Sequence, residues 1–142
     1  MQNFVERKEA IQDWFSSCTG QEGAYQRLME LGNKLAPLSQ EEREKAKRVP
    51  GCQSETYLYL GTANRRLFCK ACSDALIAKG LSYLVVSLHD GLLIEEVLVT
   101  DLSFLRDMGI FSHLSMNRSH GLNSMVTFLK REAVQILRTC PS

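Results

Sequence analysis

Between Arg118 and Cys140 the apolar residues Leu122, Met125, Val126, Leu129, Ala133, Ile136 and Leu137 return at helical intervals. That spacing predicts one long helix whose apolar stripe needs a partner surface, with Pro141 marking its end. Earlier segments supply candidates for that surface. "NFVERKEAIQDWFSSC" reads as a helix with Asn3 as N-cap, Glu6 as its capping-box partner, and Ile11, Trp14 and Phe15 on one face. "EGAYQRLMELGNKLAPL" reads as a second, with Tyr25, Leu28, Met29 and Leu35 aligned and Pro37 as the stop. "SQEEREKAKRV" mixes charges of both signs with almost no apolar residue, the pattern of a solvated connector. "SETYLYLG" and "NRRLFCKA" are strand-like runs separated by "GTAN", which predicts an antiparallel hairpin. The stretch "SYLVVSLHDGLLIEEVLV" reads two ways: β-branched runs flank Asp90-Gly91, a hairpin signal, yet Ile77, Leu81, Leu84 and Leu88 share a helical face behind Ser73 and Asp74.

At 142 residues, 44% apolar and 23% charged, the chain has the size and balance of one ordinary domain, residues 1–142, able to bury a core without staples. No run approaches the roughly 18 apolar residues of a membrane span, so a soluble protein is expected. A net charge of +1 gives no general attraction to nucleic acid or acidic lipid, and no local basic stripe compensates. The N-terminus "MQNFVERKEAIQDWF" lacks the apolar stretch of a secretory signal, which predicts a cytoplasmic location. There the five cysteines, Cys18, Cys52, Cys69, Cys72 and Cys140, are expected to stay thiols, and their odd number argues against a complete disulfide framework.

One of the five stands apart. Cys52 follows Val-Pro-Gly, so a ring-locked residue and an unrestricted one present its thiol on a constrained turn, and two readings stand: a nucleophile that must reach a partner, or the more common free cysteine packed as a small buried hydrophobe. The other noteworthy thiols are Cys69 and Cys72 in "CKAC", for which three readings stand: thioredoxin-like redox chemistry, a share in a zinc or iron-sulfur site together with Cys52, or ordinary packing at a strand end. No second paired motif supplies further metal ligands. His89, His113 and His120 are unclustered, Cys18 and Cys140 have no activating pattern around them, and phosphate-loop and nucleophile-elbow signatures are absent.

"RVPGCQSETYLYL" resembles the signature loop of the SufE family of sulfur acceptors, Val-x-Gly-Cys-Gln-Ser followed by a strand. Three more segments fall in the family's order: "YQRLMELGNKLAPL", "SDALIAKGL" and "HLSMNRSHGLNSM", so that the likeness spans roughly residues 11 to 137. It implies an α+β fold similar to IscU-type scaffolds, with a small antiparallel sheet of about three strands packed against several helices. It also implies that the ambiguous middle is a long helix from about Ser73 to Asp90. Carried over by position, Cys52 is the acceptor of persulfide sulfur from a SufS-like cysteine desulfurase, which this chain would activate; the pyridoxal phosphate belongs to that partner, and this chain needs no cofactor or metal. Sulfur would pass on toward an iron-sulfur scaffold. Gly51, Gln53 and Ser54 shape the loop, Asp74 sits at the family's helix start as a cap, and Arg118 falls where a guanidinium either stabilises the sulfur anion or anchors a helix. The chain would thus be an accessory carrier more than a stand-alone enzyme. Two departures stand out: Thr56-Tyr57 where members carry Val-Trp, and "CKAC", which the family does not lead one to expect. The alternative is an iron-sulfur or zinc-binding scaffold using Cys52, Cys69 and Cys72, with a thiol oxidoreductase as a third reading.

Overall fold

A computed structural model describes residues 3–52, 54–109 and 116–139, with only the backbone of 116–118. The order is α1 (Phe4–Phe15), α2 (Gly20–Gly32), α3 (Gln40–Lys45), β1 (Lys47–Arg48), β2 (Thr56–Ala63), β3 (Arg66–Ser73), α4 (Leu76–His89), α5 (Ile94–Val99), α6 (Ser103–Asp107) and α7 (Met116–Thr139). The three strands form one antiparallel sheet in the order β1-β2-β3, and the described fold is α+β with a long last helix, as the resemblance implied.

Alternation builds the sheet. Thr56 and Leu58 of β2, with Leu67, Cys69 and Ala71 of β3, turn to a buried face, while Phe68 and Lys70 turn away. The hairpin forms, but its turn is not "GTAN". Strand pairing continues through Ala63↔Arg66, and Asn64 and Arg65, at φ +53° and +65°, make a two-residue turn with both residues left-handed. Asparagine tolerates that region, and such turns match the twist of the strands, so Gly61 and Thr62 stay in the ladder. Ile94 NH donates to Arg65 O, and Glu95 pairs with the Arg65 side chain, which ties the tip of the turn to α5.

The middle segment is helical. Ile77, Leu81, Leu84 and Leu88 are all buried on one face of α4, and tertiary burial overrides the local hairpin signal. Asp90-Gly91 instead closes the helix: Gly91 has φ +85°, its NH donates to Leu67 O, and Leu67 NH donates to Leu92 O. Asp90 Oδ1 accepts from Cys69 NH at 2.9 Å. The Asp-Gly pair therefore sutures the end of α4 to the free edge of β3.

Two other expectations need correction. The "connector" contains α3, opened by a full capping box in which Glu42 NH donates to Ser39 Oγ and Ser39 NH donates to Glu42 Oε1, and then the edge strand β1. Helix α2 ends at Gly32 and not at Pro37, through i→i−3 bonds from Lys34 NH to Leu31 O and Leu35 NH to Gly32 O. In α1 Asn3 caps Glu6 NH as expected, Ile11 and Phe15 are buried, and the Lys34 ammonium and the Arg27 guanidinium lie 4.3 Å and 5.2 Å from the Trp14 ring centroid. The stripe of α7 buries Leu122, Met125, Leu129 and Ala133, whereas Leu137 has rotated out to 38% exposure.

His89, at the end of α4, is fully enclosed. Its Nδ1 donates to Val85 O at 2.7 Å, and Nε2 lies 2.9 Å from the Thr100 hydroxyl. Burial pushes its pKa down to about 4, opposed by the Val85 carbonyl and reinforced by Lys130 and Arg7. Above about pH 6.5 the ring is neutral whether the chain is folded or not. Between that pH and about 4 only the unfolded chain takes up the proton, so stability falls with pH through this window and the loss from His89 levels off below it. The total is about 3 kcal/mol, from roughly 1.4 kcal/mol per unit. In urea denaturation at pH 7 and pH 4.5, His89→Gln is expected to lose markedly less stability than the wild type. Equal losses would show that the native ring is already protonated.

Candidate functional site

The loop from Pro50 to Glu55 leaves β1 and returns as β2, and the pairing on either side fixes its ends: Arg48 opposes Tyr57, and Val49 NH donates to Thr56 O at 2.9 Å. Val49 is almost wholly buried and anchors the near limb. Gly51 then takes φ +85°, a region that costs side-chain-bearing residues roughly 1–2 kcal/mol. A Cβ there would sit 2.8 Å from Ser124 Oγ and 3.5 Å from His120 Nε2. The turn thus rests against the first turns of α7, and glycine permits the approach twice over, by dihedral and by size.

Cys52 follows in a half-buried position, packed at the margin of the core, with its thiol 3.7 Å from Gly121 O. A Cβ at Gly121 would lie at an ordinary 3.8 Å from Sγ, so this seat does not itself demand glycine. Burial raises the Cys52 thiol above its ordinary value, and the charge of Arg48 acts in the opposite direction. At neutral pH the resting group is accordingly a thiol that donates to a carbonyl.

The far limb is held by hydroxyls. Ser54 Oγ, Thr56 Oγ1 and Ser73 Oγ form a chain with 3.1 Å links, and Thr56 is fully buried. Threonine in place of the family's valine thus keeps a β-branched shape while adding a link between the loop and β3. Asp74 is not the cap of α4. Ala75 occupies that position without a side-chain cap bond, and Asp74 Oδ1 instead accepts from Glu55 NH at 3.1 Å, while its own NH donates to Glu55 O. The residue belongs to the loop it braces.

Cys69 and Cys72 do not act as a pair. Three residues apart on an extended strand, they leave opposite faces of β3. Cys69 faces the core at 3% exposure, and burial, then the Asp90 carboxylate, push its thiol far up. Cys72 shares the outer face with its neighbour Tyr57. The redox and metal readings require both sulfurs on one side, and the packing reading requires nothing more. Among the described residues no group of three or more His, Cys, Asp or Glu side chains is placed to hold a metal ion. Gln53, the Arg118 side chain, His113 and Cys140 lie outside the described residues. Cys18 packs at the edge of the core, and His120 is exposed beside Gly51.

Sequence reasoning missed Ser124, which receives the Gly51 turn, and the Thr56-Ser73 link. Unseating the loop gives a direct check. Gly51→Ala is expected to shift the turn off Ser124 and raise the alkylation rate of Cys52 by roughly threefold to tenfold, because relief of burial lowers the thiol's pKa. An unchanged rate would mean that the turn does not control access to the sulfur.

A small antiparallel sheet and a long helix thus hold one thiol on a clamped glycine turn, an arrangement suited to a thiol-based carrier. The SufE family model, described as an Fe-S metabolism associated domain, matches residues 9–133, and this chain belongs to that family. It is 33% identical over 135 residues to the cysteine desulfuration protein SufE of Wigglesworthia glossinidia brevipalpis, covering 94% of this chain and 93% of that one. The solution structure of a hypothetical protein from Thermus thermophilus shares the fold, with a TM-score of 0.79 and 20% identity, over 97% of this chain and all of that one. Among the described residues no helix is long and apolar enough to cross a membrane.

Proposed function

We propose that this chain takes sulfur from a pyridoxal-phosphate-dependent cysteine desulfurase onto Cys52 and carries it toward iron-sulfur cluster assembly. The observation that carries the reading is the half-buried Cys52 thiol on the Gly51 turn, seated on Gly121, within a chain of the SufE family. The pyridoxal phosphate is the desulfurase's, and the desulfurase's own persulfide is the sulfur donor.

The chemistry is thiol exchange. Cys52 loses its proton, and the thiolate forms a bond to the outer, sulfane sulfur of the donor persulfide. The donor's S–S bond breaks, its electron pair leaves on the desulfurase thiolate, and that thiolate or solvent takes a proton. No net oxidation occurs. Clearing the desulfurase cysteine frees it for the next turnover, which is how the acceptor activates its partner in a ping-pong relay. Burial serves the resting state, because a thiol held above its ordinary pKa is a poor nucleophile toward stray oxidants and electrophiles. Transfer then requires that docking lift the turn from Ser124 and Gly121 and expose the sulfur.

Incubation with desulfurase, pyridoxal phosphate and cysteine should add one sulfur's mass to the Cys52 peptide and raise desulfurase turnover. Absence of that mass, or a coloured cluster formed on anaerobic reconstitution with iron and sulfide, would overturn the reading in favour of a scaffold.

A further inference from the structure

Cys52 has to lose a proton before its sulfur can attack, and its resting partner cannot take that proton. Gly121 O accepts the thiol's hydrogen bond at 3.7 Å, but a backbone carbonyl is a hydrogen-bond acceptor and not a base at neutral pH. A base stands one residue earlier on the same helix. The exposed His120 ring places Nε2 3.5 Å from where a Cβ on Gly51 would be, and Gly51 is bonded directly to Cys52. With consecutive Cα atoms about 3.8 Å apart, the ring nitrogen is no farther than about 9 Å from the Cys52 Cα. His120 and Ser124, one turn apart, meet the outer side of the Gly51 turn, while Gly121, about 100° round the helix, is buried and holds the sulfur on the inner side. A sulfur that leaves Gly121 for solvent therefore moves toward the side of α7 that carries His120. Gly51, unrestricted by a side chain, is the residue about which that movement turns. Among the described residues His120 makes no hydrogen bond or ion pair, so its ring nitrogens are available.

We propose that His120 takes the Cys52 proton as the turn lifts, and so delivers the thiolate that receives sulfur. The inference rests on the acceptor reading of Cys52. The S–H bond breaks, the proton passes to an imidazole nitrogen, and the thiolate bonds to the sulfane sulfur of the donor persulfide. The desulfurase thiolate that departs with the S–S electron pair, or solvent, then removes the proton from the imidazolium. Protons and electrons balance with no oxidant. Imidazole suits the step because its ordinary pKa lies nearest neutrality, so it accepts a proton and gives it up at the same pH. The other charged groups around the turn are Arg48 on the opposite face of the entering strand, Glu55 and Asp74 on the far limb, and the Lys47–Glu132 pair further along α7. Guanidinium and ammonium groups keep their protons at neutral pH, and carboxylates are ordinarily much weaker bases than imidazole. The size of the effect is bounded. A freed thiol with the ordinary pKa near 8.5 is about 3% ionised at pH 7, so a base that ionises it fully accelerates transfer by at most roughly thirtyfold.

The test compares the full chain with His120→Gln, an exchange at an exposed position that leaves the Gly121 seat in place. Each is mixed with desulfurase already carrying its persulfide, in a single turnover from pH 6 to 10, and the sulfur gained by the Cys52 peptide is followed by mass spectrometry. The ratio of the two rates at each pH cancels the desulfurase's own titrations. The wild type is expected to be roughly tenfold faster at pH 7, with the ratio falling to within about twofold of unity by pH 10, where Cys52 ionises unaided. Added imidazole should raise the variant's rate at pH 7 and leave that of the wild type unchanged. A ratio near one at pH 7 would overturn the proposal, since no proton then passes to the ring. A loss of the same size at every pH would overturn it too, because the ring would then only support the turn. Failure of the acceptor reading is separable: the wild type would gain no sulfur at any pH, pH 10 included.

Discussion

Cys52→Ser is expected to abolish sulfur acceptance, with no sulfur mass on residue 52 and desulfurase turnover at the level of the desulfurase alone. A serine hydroxyl ionises far above neutral pH and forms no stable bond to sulfane sulfur, so the loss is complete and not graded. The fold should survive. Cys52 is half-buried and its sulfur makes one long contact to Gly121 O, so the exchange is worth about 1 kcal/mol or less. Neither thiol of "CKAC" is placed to substitute. Cys69 is buried with its pKa driven up, and Cys72 emerges from the other face of β3. The double variant Cys69→Ser, Cys72→Ser should accordingly accept sulfur at the wild-type level. Sulfur found on Cys72 in the Cys52→Ser protein would show instead that a relay exists and that the single-thiol account is wrong.

The site was legible in the sequence to the extent that its geometry is local. Proline and glycine announce a turn irrespective of what surrounds it, and Cys52 lies where they place it. What the turn rests on was not readable, because Ser124 and Gly121 are some seventy residues away and only folding brings them there. Asp74 shows the same limit. A short polar residue ahead of a helix satisfies the rules for a cap, but a competing acceptor role for Glu55 NH across the hairpin took its side chain. "CKAC" was ambiguous only while its secondary structure was open, since the pair would share one side near a helix start and is divided on a strand.

The fold follows the same division. Long stripes survive context, and the faces of α4 and α7 are where periodicity puts them. Ends and short elements depend on partners. Gly61 resembled part of a turn but remained in the ladder, because Asn64-Arg65 closes two residues later with better-matched twist. Helix α3 carried its own capping box, Ser39 to Glu42, and was overlooked only because it has no apolar stripe; Lys70 secures it by pairing with Glu42.

The largest loss of stability is expected from Gly80→Ala, a change that local propensity alone would favour. Alanine is better than glycine inside a helix by up to about 1 kcal/mol. At position 80 that gain meets a wall. A Cβ would lie 2.2 Å from Leu28 O, 2.7 Å from Leu28 C and 3.0 Å from Leu28 Cβ, so the obstacle is mostly backbone and cannot rotate aside. Gly32 mirrors it from α2, where a Cβ would come within 2.8 Å of Lys79 Cβ and 3.0 Å of Gly80 N. The helices cross on these two glycines, and Leu28 and Leu31 pack into the core beside the crossing. Alanine at 80 has to push α2 off α4 by an ångström or more, loosening that packing along its length. Overpacking of this kind typically costs about 1–3 kcal/mol, and the rigid obstacle puts this site at or beyond the upper end. We expect a net destabilisation of about 3 kcal/mol in urea denaturation, against a total stability of roughly 5–15 kcal/mol for a domain. Gly61→Ala is the control, because its Cβ would meet only the Tyr59 hydroxyl at 3.8 Å and should shift stability by less than about 0.5 kcal/mol. If Gly80→Ala proved as stable as Gly61→Ala, the two helices could not cross as closely as the structure places them.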